Sequence, residues 1–163
     1  MTSIIKETIY IETTIPSYLA ARASRDIVVA GHQQLTHEWW QEYKDRYDLF
    51  ISEAVIQEVL KGDFSASERR MAYLSGLPVL PISREITTLA EQYLTVLSIP
   101  PKAALDALHL ACCVKHKMDF MLTWNCKHLA HGSVIKRLNE YNIEHRLFLP
   151  TIVTPDELMG RDE

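Results

Sequence analysis

The chain has 163 residues, 47% of them apolar and 23% charged, with a net charge of −4. That size and balance suit one domain, residues 1–163, with a real core. A net negative chain is no broad, sequence-blind binder of nucleic acid, although an acidic pocket neutralised by metal stays open.

The first strand is expected at Ile9 to Glu12, and Pro16 suits the first turn of a short helix to Arg22. A longer helix runs from about Asp26 to Tyr47, with Val28, Leu35, Trp39 and Tyr43 at helical spacing. Trp39, Trp40 and Tyr43 resemble a stacking surface for bases, but at this spacing packing in the core or against another copy is the better account. Leu49 to Ser52 is a second strand, and Ser52 caps a short helix that carries Glu58 and stops at Gly62. Ser65-Ala66-Ser67-Glu68 reads as a capping box before a helix that ends near Gly76. Pro78 to Ile82 is a third strand, and Ser83 caps a helix that Pro100-Pro101 terminates. The next helix carries Asp106 and ends on Lys115, His116 and Lys117, which suit its dipole. Phe120 to Trp124 is a fourth strand. A helix from about Val134 to Tyr141, a strand near Phe148 and a helix start at Thr154-Pro155-Asp156-Glu157 follow. Strands alternating with helices predict an α/β fold of three layers, with a mostly parallel central sheet.

The longest apolar runs are broken by Asp, His or Lys well short of a bilayer span. The first seven residues lack a basic stretch followed by an apolar core, so secretion is not expected. Three cysteines, two of them adjacent at 112 and 113, fit the reducing cytoplasm.

Three carboxylates stand where carboxylates are costly. Glu12 follows Ile9-Tyr10-Ile11, Glu58 lies on the short helix after Ser52, and Asp106 interrupts a helix apolar almost all round. An unpaired buried carboxylate tends to take up a proton instead. A shared divalent cation is the most economical common explanation. Ligands of parallel sheets bind beyond the carboxyl ends of the strands. Glu12 and Asn125 lie at two such ends, and Ser52 at a third leads to Glu58.

Blander accounts compete. Asp106 can be a core carboxylate satisfied by a neighbour, Glu12 a helix N-terminal carboxylate, and Glu58 part of a solvated face. Glu38 and Glu53 are surface charges. Cys126, His128 and His131 offer zinc ligands, but the spacing Cys-x-His-x-x-His matches no usual finger and lacks a fourth ligand. His109, one turn after Asp106, is expected to be a hydrogen-bonded residue near the core or a supporting partner of Asp106. No nucleophile elbow, Gly-rich phosphate loop or dinucleotide fingerprint is present.

Four segments carry a family likeness. Ile9-Tyr10-Ile11-Glu12-Thr13-Thr14 resembles the opening of PIN domains, and Ser52-Glu53-Ala54-Val55-Ile56-Gln57-Glu58-Val59 their second motif. Asp106-Ala107-Leu108-His109-Leu110-Ala111 resembles the third and Leu122-Thr123-Trp124-Asn125 the fourth, in the right order from about residue 8 to 158. The chain looks like a VapC-type member, the toxin half of a bacterial toxin–antitoxin pair. The resemblance implies an endoribonuclease that uses Mg²⁺ or Mn²⁺, with RNA as substrate, a cognate antitoxin as partner and a homodimer as assembly. By motif match Glu12, Glu58 and Asp106 would bind metal and, with Asn125, form the catalytic set. Thr13, Ser52, Thr123 and His109 would be the polar groups that steady it. Glu12 stands where the family usually has Asp, and Asn125 brings one negative charge fewer than a fourth acid would. The rival reading is a catalytically silent PIN-fold protein that acts by binding protein or RNA.

Overall fold

The computed structural model describes residues 4–160. Among these residues five strands form one sheet: β1 (Thr8–Ile11), β2 (Asp48–Ser52), β3 (Val79–Leu80), β4 (Phe120–Leu122) and β5 (Thr151–Val153). Their spatial order is β3-β2-β1-β4-β5 and every neighbouring pair is parallel. The sheet expected to be mostly parallel is wholly so. The central strand shows why. Ile9, Tyr10 and Ile11 are all fully buried, so β1 reads as a continuous apolar run and not as an alternation.

Among the described residues seven α-helices connect and flank the strands: α1 (Thr14–Ala20), α2 (Ile27–Glu42), α3 (Glu53–Val59), α4 (Phe64–Leu74), α5 (Arg84–Val96), α6 (Ala104–Lys115) and α7 (Gly132–Glu144). α1 packs on α2 and α4, while α5 packs along α6 and touches α7. In α6 every residue from His109 to Val114 is buried, as its all-round apolar sequence requires. Trp39 is fully buried and Tyr43 nearly so, which makes the aromatic stripe of α2 part of the core. Asp26 caps α2, its Oδ1 accepting from the amides of Val28 (2.9 Å) and Val29 (3.0 Å). Asp26→Ala should therefore destabilise the protein by about 1 kcal/mol, read as a lower denaturant midpoint at unchanged slope.

Several boundaries differ from the sequence reading, each for a local reason. α1 starts at Thr14, two residues before expected, and Pro16 sits inside its first turn, where a missing N–H costs nothing. α2 stops at Glu42, and a 3-10 turn over Lys44–Arg46 follows it. The capping box at Ser65 does not form. Asp63 accepts from the Ala66 amide (3.0 Å) and starts α4 earlier, so Ser67 turns back to the Asp63 carbonyl (3.0 Å). Gly62 has φ of 86°, a left-handed conformation that frees the chain to leave α3 and reach this cap. β3 is only two residues long because prolines 78 and 81 flank it. α5 ends four residues before Pro100, where Ser98 turns left-handed and the Ile99 amide returns to the Leu94 carbonyl (3.0 Å). α7 is longer than expected, capped by the His131 ring. The last strand lies at Thr151–Val153 and not near Phe148, because the Phe148 carbonyl accepts from Asn142 and Pro150 has no amide to give.

With β1 at the centre, connections run one way to β2 and β3 and the other way to β4 and β5. The order therefore reverses between β1 and β4, which is where parallel sheets open a crevice for ligands.

Candidate metal centre

Glu12 stands at that reversal point. It is 2% exposed, and its amide still donates to the Leu122 carbonyl (3.1 Å). Its Oε2 accepts from the Thr14 amide (3.0 Å), the Thr14 hydroxyl (2.5 Å) and the Thr123 hydroxyl (2.8 Å). Thr14 Oγ1 also accepts from the Trp124 amide (2.8 Å), so one hydroxyl clamps Glu12 to the end of β4. Burial pushes the Glu12 carboxyl pKa up despite the nearby His109 and the hydroxyls, which pull it down. The helix-terminus account of Glu12 is thus half the truth: one oxygen caps α1. No protein group bonds the other oxygen among the described residues.

Glu58 is half-buried. The Thr13 hydroxyl (3.0 Å) and His109 Nε2 both meet its Oε1. Burial works to raise its pKa, but the hydrogen bond and charge of His109 together with Thr13 outweigh it and hold the carboxyl below its ordinary value. His109 is fully buried. Its Nδ1 meets the Tyr10 hydroxyl (2.6 Å), which in turn meets Ser52 Oγ (2.7 Å). Ser52 also caps α3 as expected, accepting from the amides of Ala54 (3.1 Å) and Val55 (3.4 Å). Burial keeps Tyr10 protonated, its pKa raised well above the usual phenol value.

Donor atoms of Glu12, Glu58 and His109 lie within 4.8 Å of one another, the one metal-capable group among the described residues. Asp106 is not part of it. It sits in the first turn of α6, and its Oδ2 pairs with His128 Nδ1 (2.9 Å). Of the two expectations for His109, the hydrogen-bonded core residue holds and the partner of Asp106 does not. The two residues share a helix face, but the imidazole reaches across to β1 and α3 while Asp106 reaches the loop after β4. That loop is built by Asn125. Its side-chain oxygen accepts from the His128 amide (3.0 Å), and its own amide donates to Thr123 Oγ1 (2.9 Å). Asn125 therefore presents His128 to Asp106. The zinc alternative does not assemble: His128 serves Asp106, His131 accepts from the Ser133 amide (3.2 Å), and Cys126 is exposed.

One pattern unites the carboxylates. Glu12, Glu58 and Asp106 each give a single oxygen to protein donors, and the second oxygen of each has no hydrogen bond among the described residues. Held on one side and open on the other, a carboxylate is suited to a hard cation. Three members of the network escaped the sequence reading. Tyr10 was legible, since two residues before Glu12 on a strand puts it on the same face. Thr14 lay beside the chosen Thr13. His128 was weighed only as a zinc ligand. Thr14→Val removes both the clamp on Glu12 and the acceptor for the Trp124 amide, so it should cost about 1–3 kcal/mol in chemical denaturation.

The sequence pattern of the PIN domain family matches residues 10–125, and the chain belongs to that family. Two solved structures share its fold. One is VapC20 of Mycobacterium tuberculosis, a toxin that cleaves the sarcin–ricin loop, 15% identical with a TM-score of 0.59 over 76% of this chain and 95% of that one. The other is VapBC2 of Rickettsia felis bound to a DNA fragment from its promoter, 15% identical with a TM-score of 0.57 over 90% of this chain and 98% of that one. No curated protein sequence matches the chain. Among the described residues no helix is long and apolar enough to cross a membrane.

Proposed function

We propose that this protein is a metal-dependent endoribonuclease, the toxin of a toxin–antitoxin pair. What supports the reading is the convergence of donor atoms of Glu12, Glu58 and His109 within 4.8 Å in a PIN-family chain, with Glu12, Glu58 and Asp106 each anchored by one oxygen and open at the other among the described residues. Glu12, Glu58 and Asp106 would hold Mg²⁺ or Mn²⁺. The bound ion would neutralise the scissile phosphate and lower the pKa of a water for attack.

The chain's own groups do the rest. Thr14 and Thr123 fix Glu12, Thr13 and His109 fix Glu58, and His128 fixes Asp106. Glu12 is longer by one methylene than an Asp, and the Thr14 and Thr123 hydroxyls set where its carboxylate ends. Asn125 positions through its turn and adds no charge. Phosphate contacts must be local on a chain of net charge −4.

The fold shared with the VapC toxins supports an antitoxin partner. Exposed apolar side chains at Ile27, Val28, Leu60 and Phe64 are the kind of surface a protein partner covers. A homodimer in the cytoplasm completes the reading.

The test is cleavage of structured RNA by the purified protein with Mn²⁺ or Mg²⁺, against the same reaction with chelator. Metal-dependent cuts whose products carry no cyclic phosphate are expected, because water is the nucleophile. Cleavage that persists in chelator, or products ending in a 2′,3′-cyclic phosphate, would overturn the hydrolytic mechanism. No cleavage together with no Mn²⁺ binding by calorimetry would leave a silent scaffold.

A further inference from the structure

We propose that His109 is itself a metal ligand, through Nε2, and that it turns an all-oxygen site into a mixed carboxylate–imidazole one that prefers first-row transition ions to Mg²⁺. This rests on the metal reading above and adds a residue and a selectivity to it.

The argument starts from burial. His109 is fully enclosed on a helix whose neighbours in sequence are Leu108 and Leu110, a place where an apolar side chain would cost nothing. Its donor atom lies within 4.8 Å of those of Glu12 and Glu58. Both ring nitrogens are engaged, and the chain of hydroxyls behind the ring has two consistent proton arrangements. In the first, Ser52 donates to Tyr10, Tyr10 donates to Nδ1, and Nε2–H donates to Glu58. In the second, Nδ1–H donates to Tyr10, Tyr10 donates to Ser52, and Nε2 keeps its lone pair. A hydroxyl both gives and accepts, so Tyr10 serves either arrangement, and in the second only Nε2 needs a cation to face.

The second arrangement is that of a metal-bound histidine, whose remote N–H is almost always held by a partner. There, Nε2 and the Glu58 carboxylate turn lone pairs toward the same space. That is repulsive alone and favourable around a cation. Mg²⁺ takes oxygen ligands and keeps its waters. Imidazole nitrogen instead favours the later first-row ions, with affinity rising from Mn²⁺ to Co²⁺. A nitrogen ligand at this position therefore sets the order Co²⁺ above Mn²⁺ above Mg²⁺.

Pulsed electron paramagnetic resonance of the Mn²⁺-loaded protein is the direct test, joined to calorimetry with Co²⁺, Mn²⁺ and Mg²⁺. Wild type should show histidine nitrogen coupling, and His109→Leu should lose it. Leu fits the apolar surroundings and leaves Tyr10 with Ser52 and Glu58 with Thr13. In that variant the Co²⁺ and Mn²⁺ dissociation constants should rise about 10–100-fold, with a much smaller change for Mg²⁺. Tyr10→Phe keeps the imidazole but removes its Nδ1 partner, so the coupling should persist with weaker Co²⁺ binding. Mn²⁺ bound without nitrogen coupling in wild type overturns the proposal even if His109→Leu does not fold. So does coupling that survives in His109→Leu, because His128 would then be its source. Either result leaves the carboxylate site standing, whereas no Mn²⁺ binding at all removes both.

Discussion

Glu12→Gln should raise the melting temperature of the metal-free protein at pH 8 by several degrees, at roughly 2–4 °C per kcal/mol for a chain of this size. Burial raises the Glu12 pKa in the folded state. The folded protein thus holds that proton more tightly than the unfolded chain does. The stabilisation this provides is complete below the unfolded pKa of about 4.3 and is lost as pH rises through the raised folded value. Above that raised value the wild type carries the cost of a buried charge, and Gln removes it while its amide oxygen still accepts from Thr14 and Thr123. The gain should shrink as pH falls toward 4. Glu58 has the opposite sign. Its folded pKa is lowered, so its contribution is present above about 4.3 and is lost as pH falls through the folded value. Glu58→Gln should therefore destabilise the metal-free protein at pH 8. Melting curves of the two variants across pH, in chelator, make the comparison. A Glu12→Gln protein no more stable than wild type at pH 8 would mean that its hydroxyl cradle already compensates the charge.

Asp106→Asn should lower metal-dependent RNA cleavage by at least about a hundredfold, the upper end of what removing a mere supporting group costs a metal site. The fold should survive, because an Asn oxygen can still accept from His128 Nδ1 as the carboxylate does at 2.9 Å. Mn²⁺ affinity should fall with activity, measured by calorimetry. Retention of wild-type cleavage would make Asp106 a structural partner of His128 and nothing more. Unfolding of the variant in chelator would say the same by another route. His128→Ala is the informative companion: it frees Asp106 without neutralising it, and should weaken activity less than Asp106→Asn does.

Stability and function pull apart at this site. Burial makes the Glu12 charge costly without a cation, and the protein answers with hydroxyls and imidazoles at the carboxylates. Thr13, Thr14, Thr123 and His128 each donate to one carboxylate oxygen and leave its twin open, and His109 meets Glu58 at the oxygen that Thr13 already holds.

Much of this was legible in the chain alone. The apolar run of β1, the apolar circumference of α6 and the cap at Ser52 are local signals, and each formed as read. They suffice to set the alternation of strands and helices, hence a parallel sheet, hence a crevice at its carboxyl edge. The cost of a charge in an apolar segment marked Glu12 and Asp106 for the same elementary reason. Boundaries were less legible where two local signals competed, as Asp63 did with Ser65 or Pro150 with Phe148. In such cases the earlier cap or the missing amide won.

Sequence could not settle who pairs with whom. Helical spacing put His109 beside Asp106, yet a side chain bonds where its ring reaches, and that depends on how α6 crosses β1 and α3. Thr14 became part of the site because β1 and β4 lie side by side, bringing it to Trp124 across 110 residues, while Tyr10 joined through Ser52 and His109, and His128 through Asp106. The sequence determined which groups are costly and the alternation that makes the sheet parallel, because both follow from local pattern. Tertiary structure alone decided which neighbour offsets each charge, because a hydrogen bond needs its partner within about 3 Å and no spacing along a chain supplies that.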